Sequence, residues 1–284
     1  MQAQLTEREF RLLSEWLSET YGLCFGPEKR YLLQSRLEPR RAEMGFETFE
    51  QLYFHLKFHP DRESERQRLL PHITNNESYF LREPGQLEVL KNEVLGAVRS
   101  RLEGNGRNEV RILSAACSTG EEPYSLAIVA RDSGVFPAPW RVKITGIDID
   151  PTALARAMQA RYTKNAFRRV GADFIERHFR ASEDGVHEIA PRIRERVTFR
   201  PGNLVDSGWS AGLPPQDVIF CRNVLIYFDD RAVERAVAGL YNALTPGGYL
   251  FLGHAETLTR VATPLIAERR KGAVFYRRPE AGDE

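Results

Sequence analysis

The chain of 284 residues carries 40 Lys+Arg against 39 Asp+Glu, a formal net charge of +1, and 42% of its residues are hydrophobic. That length and ordinary globular composition predict roughly two domains. So even a balance argues against a protein that coats nucleic acid or an anionic membrane, since both tasks need a large field of one sign.

Glu7, Arg8 and Glu9 near the start leave no room for a leader's apolar core, and no later apolar run approaches the roughly 18 residues needed to span a bilayer. A soluble, cytoplasmic protein without membrane insertion is expected. Cys24, Cys117 and Cys221 form no C-x-x-C pair, so neither a zinc site nor a disulfide framework is predicted, and reduced, mostly buried thiols are expected.

The first 72 residues read as helical. Thr6 and Glu9 form a capping box ahead of Phe10, Leu13 and Leu17, with Gly22 as the stop. A second helix follows Pro27, with Leu32, Leu33 and Leu37 apolar and Lys29, Arg30, Arg36, Arg40 and Arg41 around them. A third begins at Thr48, and a fourth runs from Asp61 to about Leu70, where Pro71 is expected to close the module.

Beyond the polar run Thr74 to Phe80 and a helix over about 84–102, short apolar stretches alternate with helices. Val110–Ala116, Val142–Asp148, Asp217–Cys221 and Tyr249–Gly253 read as strands, and Ala273–Arg277 as an antiparallel last strand. The alternation predicts an α/β domain over 73–284 with a doubly wound, Rossmann-like, mainly parallel sheet. His178–Ala181 and Val186–Ala190 read as a hairpin, and with Val197–Arg200 they predict a small β insertion over about 173–200. The residues from about Pro279 read as a disordered tail.

Chemistry concentrates at the strand ends. The first strand runs into Ala116-Cys117-Ser118-Thr119-Gly120-Glu121-Glu122, a turn of small residues that lets a ligand approach the backbone. The turn has one glycine and no lysine, and two glutamates open its helix. Pyrophosphate is therefore disfavoured, although the glutamates could simply complement the helix dipole. The second strand ends at Asp148, placed to accept ribose hydroxyls, while Asp150 before Pro151 reads as a helix cap. Together these fit an adenosine ligand without phosphates, for which S-adenosylmethionine is the obvious choice. Asn203-Leu204 falls where an adenine edge would be met, although such a pair is usually only a turn. Arg222-Asn223 and Tyr227 fall at the mouth of the crevice.

The run Thr74-Asn75-Asn76-Glu77-Ser78-Tyr79-Phe80-Leu81-Arg82-Glu83, the strand-end segments just described and Gly253-His254-Ala255-Glu256 resemble, in order and over almost the whole chain, the chemotaxis receptor methyltransferases, the CheR family. The resemblance implies a class I methyltransferase fold. The implied activity is that of a protein-glutamate O-methyltransferase, which moves a methyl group from S-adenosylmethionine to chemoreceptor glutamates and releases S-adenosylhomocysteine. Carried over by position, Asn76, Ser78, Arg82, Glu122, Asp148, Asn203, Leu204, Arg222 and Asn223 line the cofactor site, and Arg82 and Tyr227 sit nearest the acceptor. Ser78 stands where the family often has Thr, and Cys117 where a smaller residue is commoner.

The same resemblance implies that the basic helix bearing Lys29, Arg36 and Arg40 docks on the receptor's coiled coil. Some relatives hold a receptor C-terminal peptide on the hairpin through a glycine-rich turn. Here only Gly185 is present, so no tight tethering is expected, and the protein is expected to be a monomer without a metal. A glutamate carboxylate, with reference pKa about 4.3, is already ionised at pH 7 and needs no general base, so His254 is expected to be structural. The alternatives are a methyltransferase with another acceptor and a signalling module that only binds the cofactor.

Overall fold

The computed structural model describes residues 3–182 and 185–280. The chain folds first into four helices, α1 (Glu7–Tyr21), α2 (Arg30–Glu43), α3 (Phe49–Phe58) and α4 (Arg62–Ile73), with a 3-10 turn at Pro27–Lys29 before α2. Thr6 and Glu9 form the capping box that starts α1, and Gly22 ends it at φ 75°. Leu13, Leu17, Leu33, Leu37, Phe49, Leu52, Leu56 and Leu69 are fully buried and form the core of this module. Pro71 does not close it. The helix continues to Ile73, because burial of Leu70 and Ile73 favours continuation over the one N–H bond that proline cannot make.

The remainder is an α/β unit. A long helical stretch consists of α5 (Pro84–Val89), a π-turn (Leu90–Val94) and α6 (Leu95–Gly104). There follow β1 (Glu109–Ala115), α7 (Glu121–Asp132), β2 (Arg141–Asp148), α8 (Pro151–Gln159), β3 (Arg161–Tyr162) and α9 (Ala172–His178). The chain then forms β4 (Phe179–Ala181), β5 (His187–Ile189), α10 (Pro191–Arg194), β6 (Val197–Pro201) and β7 (Gln216–Cys221). It ends with α11 (Asp230–Ala243), β8 (Leu244–Leu252), β9 (Ile266–Arg270) and β10 (Ala273–Arg277).

The seven-stranded sheet has the order β6-β2-β1-β7-β8-β10-β9. Its strands are parallel except at the end, where β10 runs antiparallel to β8 and β9. Alternate residues serve opposite layers: Ile112, Ile144 and Val218 pack with α5–α7, and Leu113, Ile147 and Ile219 with α11. Both faces are therefore covered, as a parallel sheet requires.

Two assignments change. Val197–Arg200, grouped in sequence with the insertion, pairs in parallel with β2 and belongs to the main sheet. The separate small sheet is instead β3-β5-β4, and it begins earlier, at Arg161. Glu183 and Asp184 of the hairpin turn, and most of the tail from Pro279, lie outside the described residues. Strand β9 had no sequence signal, since Ile-Ala-Glu-Arg-Arg is largely exposed at the sheet edge. No helix among the described residues is long and apolar enough to cross a membrane.

Candidate active site

The C-terminal ends of β1, β2, β6 and β7 meet the helical module around a cavity of about 360 Å³. The turn after β1 takes unusual backbone shapes, with φ of 60° at Ala116, 50° at Ser118 and 93° at Gly120. Left-handed non-glycine residues are costly and recur at functional sites. Here the turn aims the Ser118 N–H at Asp148 Oδ2, 2.7 Å away. Gly120 admits no side chain, because a Cβ would lie 2.8 Å from Ala157 Cβ.

Asp148 is buried at the tip of β2, and its other oxygen accepts the Asp150 N–H at 2.9 Å. Burial pushes its carboxyl up to about 6, against the pull of these N–H donors. Asp150 is the helix cap, accepting from Thr152 and Ala153 N–H at 2.8 and 3.2 Å. Its second oxygen accepts from Asn76 Nδ2 at 2.7 Å and Thr74 Oγ1 at 3.1 Å, which ties the loop after α4 to the sheet.

Glu122, on the first turn of α7, accepts from Ser114 Oγ and from Arg222 Nε, each at 2.7 Å. Arg222 is buried and also donates to the Arg82 carbonyl at 2.8 Å, so it braces three segments that line the cavity. Neighbouring Glu121 is buried away from the cavity, and its carboxyl is pushed up by burial. Glu83, left-handed at φ 55°, accepts from Asn223 Nδ2 at 3.2 Å and lies 2.9 Å from His254 Nδ1. Burial raises its carboxyl, but His254, Arg222 and Asn223 outweigh that and hold it below the usual range. His254 itself is exposed and does not line the cavity.

The turn bearing Tyr227 is held by one carboxylate. Glu256 accepts N–H bonds from Gly253, Asn223, Val224 and Leu225 at 2.6 to 2.9 Å. The helical module holds the turn from the other side. Cys24 N–H donates to the Tyr227 carbonyl at 2.8 Å, Leu23 pairs with Phe228, and Ser18 donates to Asp229, the cap of α11.

Asn76, Ser78, Arg82, Glu122, Asp148, Asn203, Leu204, Arg222, Asn223 and Tyr227 all line the cavity, as do Lys29 and Arg36. Asn203 Nδ2 is already used on the Thr20 carbonyl, 2.8 Å away, leaving buried Leu204 as an apolar wall. Arg40 is corrected. It is buried, bonded to Glu65 and 2.6 Å from Glu43, so it offers no charge to a partner. Cys117 and Cys221 are buried and Cys24 is exposed, which agrees with mostly buried free thiols. Sequence reasoning gave no role to Asn75, whose Nδ2 donates to Tyr227 Oη at 2.7 Å, or to Glu83, Ser118 and Glu256. Their only signal was membership of the motif runs, which named no role for them.

A family model described as the CheR methyltransferase SAM binding domain matches residues 76–271, and one described as the CheR methyltransferase all-alpha domain matches 8–74. The chain belongs to the CheR methyltransferase family. Chemotaxis protein methyltransferase 2 of Vibrio cholerae is 32% identical, over 98% of this chain and 95% of its own length. Chemotaxis protein methyltransferase 1 of Pseudomonas aeruginosa is 34% identical, over 95% and 97%. The probable biofilm formation methyltransferase WspC of Pseudomonas putida is 35% identical over 88% of this chain but 56% of its own.

This CheR-family protein is an S-adenosylmethionine-dependent methyltransferase. The residues present fit that cofactor. Asp148 is a buried carboxylate at the cavity wall that hydroxyl donors would satisfy, and Ile149 and Leu204 supply apolar surface for a base. Among the described residues, Arg82 has no carboxylate partner; its Nη1 donates to the Glu77 carbonyl at 3.1 Å and its guanidinium lies over Tyr79. It is therefore available to an anionic group.

Proposed function

We propose that the protein methylates glutamate side chains on the cytoplasmic coiled coils of chemoreceptors, producing methyl esters that serve sensory adaptation. The observation that carries this reading is the juxtaposition, in one cavity, of the Tyr227 phenol with Lys29, Arg36 and Arg82. Among the described residues none of these cations is paired with a carboxylate. Such a wall suits an anionic acceptor.

Bound S-adenosylmethionine supplies an electrophilic methyl group on a sulfonium. Asp148 holds the ribose and Leu204 the base, while Arg82 orients the acceptor or the cofactor's own carboxylate. Arg82 shares its charge between positioning tasks, because gripping the acceptor too tightly would stabilise the ground state. The acceptor carboxylate is ionised at pH 7, so no residue must remove a proton, and no histidine lines the cavity among the described residues. Tyr227 donates a hydrogen bond to one acceptor oxygen and leaves the other to attack. Exclusion of water by the helical module helps, since opposite charges merge as the reaction proceeds, and the rest of catalysis is alignment.

Residues 1–72 dock on the receptor through Lys29 and Arg36, without Arg40, and residues 73–284 carry the chemistry. The protein acts as a cytoplasmic monomer and does not tether a receptor C-terminal peptide. Incubation with methyl-labelled cofactor and receptor cytoplasmic fragments should place a base-labile label on the receptor. Label on another molecule, or none, would refute the acceptor. Tyr227→Phe should lower kcat about tenfold with cofactor affinity unchanged; unchanged turnover would remove the phenol from the mechanism.

A further inference from the structure

Asn75 and Tyr227 belong to separately anchored segments that meet at a single side-chain hydrogen bond. Asn75 lies in the loop after α4, and its neighbours Thr74 and Asn76 are both fixed to Asp150. Tyr227 is fixed by the Glu256 clamp on its turn and by the Cys24 N–H on its carbonyl. Between them, Asn75 Nδ2 donates to Tyr227 Oη at 2.7 Å, and both residues line the cavity.

A phenol offers one proton and accepts chiefly in the plane of its ring, where two directions are open at the oxygen. With an amide N–H in one direction, the proton takes the other and is left for a different partner. An unheld phenol would exchange freely between donating and accepting. A carboxylate acceptor can only receive hydrogen bonds, so half of that freedom is unproductive.

We propose that Asn75 is a positioning residue for methyl transfer: by donating to Tyr227 Oη it commits the phenol to act as donor toward the acceptor carboxylate. This rests on the glutamate-methylating reading above. The bond is exposed, and neither residue belongs to a hydrophobic core cluster, so its value lies in orientation more than in stability.

The test is a double-mutant cycle with a receptor cytoplasmic fragment and labelled cofactor, comparing wild type, Asn75→Ala, Tyr227→Phe and the double variant, with cofactor affinity measured by calorimetry on each. Asn75→Ala should lower kcat about three- to tenfold and leave cofactor affinity unchanged. In the Tyr227→Phe background the same change should cost less than about twofold, because there is no phenol left to orient. Asn75→Asp should lower kcat further than Asn75→Ala, since a carboxylate takes the phenol proton for itself. Full activity of Asn75→Ala, additivity of the two changes, or an Asn75→Asp variant as active as wild type would overturn the proposal. A wild-type protein that binds cofactor yet leaves the receptor unlabelled would overturn the acceptor assignment instead, and this proposal with it.

Discussion

Cofactor affinity should fall on acidification through a single group, Asp148. Its carboxyl stands near 6, against 3.8 for an ordinary aspartate, because burial opposes ionisation more than the Ser118 and Asp150 N–H donors favour it. The sign follows from linkage. The folded protein holds this proton more tightly than the unfolded chain, so the stability it contributes is present below 3.8 and lost as pH rises through about 6. Two pKa units correspond to roughly 3 kcal/mol.

Ribose hydroxyls donate to the ionised form, so binding recovers part of that loss and is strongest above pH 6. At pH 5, one unit below the midpoint, affinity should be about tenfold weaker than the plateau near pH 8. Asp148→Asn should weaken binding about 10- to 100-fold at pH 8, through loss of charge-assisted hydrogen bonds, and should flatten the pH profile. Glu121 is also raised by burial but lies outside the cavity; were it the titrating group, the slope would persist in the Asn variant. Isothermal titration with S-adenosylhomocysteine from pH 5 to 8 distinguishes these outcomes. A flat wild-type profile, or an Asn variant with an unchanged slope, would refute the role of Asp148.

Three further substitutions separate scaffold from surface. Arg40→Ala should destabilise the helical module by about 1–3 kcal/mol in urea titrations, because buried Glu65 keeps only Arg68 as an ion partner among the described residues, whereas exposed Lys29→Glu should leave stability unchanged and slow receptor methylation. Glu256→Gln sets an amide N–H₂ against backbone donors in the Tyr227 turn; it should cost about 1–3 kcal/mol of stability and lower kcat, read by thermal unfolding and steady-state assay.

Local signals were legible wherever local chemistry decides the outcome. The Thr6–Glu9 box, the Asp150 cap and the alternation of strand and helix all depend on neighbours within a few residues. Arg40 was misread because its spacing from Lys29 and Arg36 describes a helix face and says nothing of what covers it. Its partner Glu65 lies on α4, 25 residues away. β6 was assigned to the insertion because strand pairing with β2 leaves no mark in so short a segment. The motif residues mapped to the cavity because parallel strands end together. The residues that hold them, Glu83, Asn75 and Glu256, act across tertiary distances, and Glu83 adopts a left-handed backbone that its type does not announce.

The least legible property is the polarity of the cavity. On the sheet side the carboxylates are spoken for: Glu122 by Arg222 and Ser114, Asp148 by backbone N–H groups. On the side of the helical module, Lys29 and Arg36 reach the same cavity without carboxylate partners among the described residues. On the proposed reading Asp148 lies toward the cofactor on the sheet side, while Lys29 and Arg36 suit an anionic acceptor entering past the module. On the same proposed reading, the lock between the module and the Tyr227 turn through Ser18, Leu23 and Cys24 would let the surface that receives the acceptor also fix the phenol that meets it.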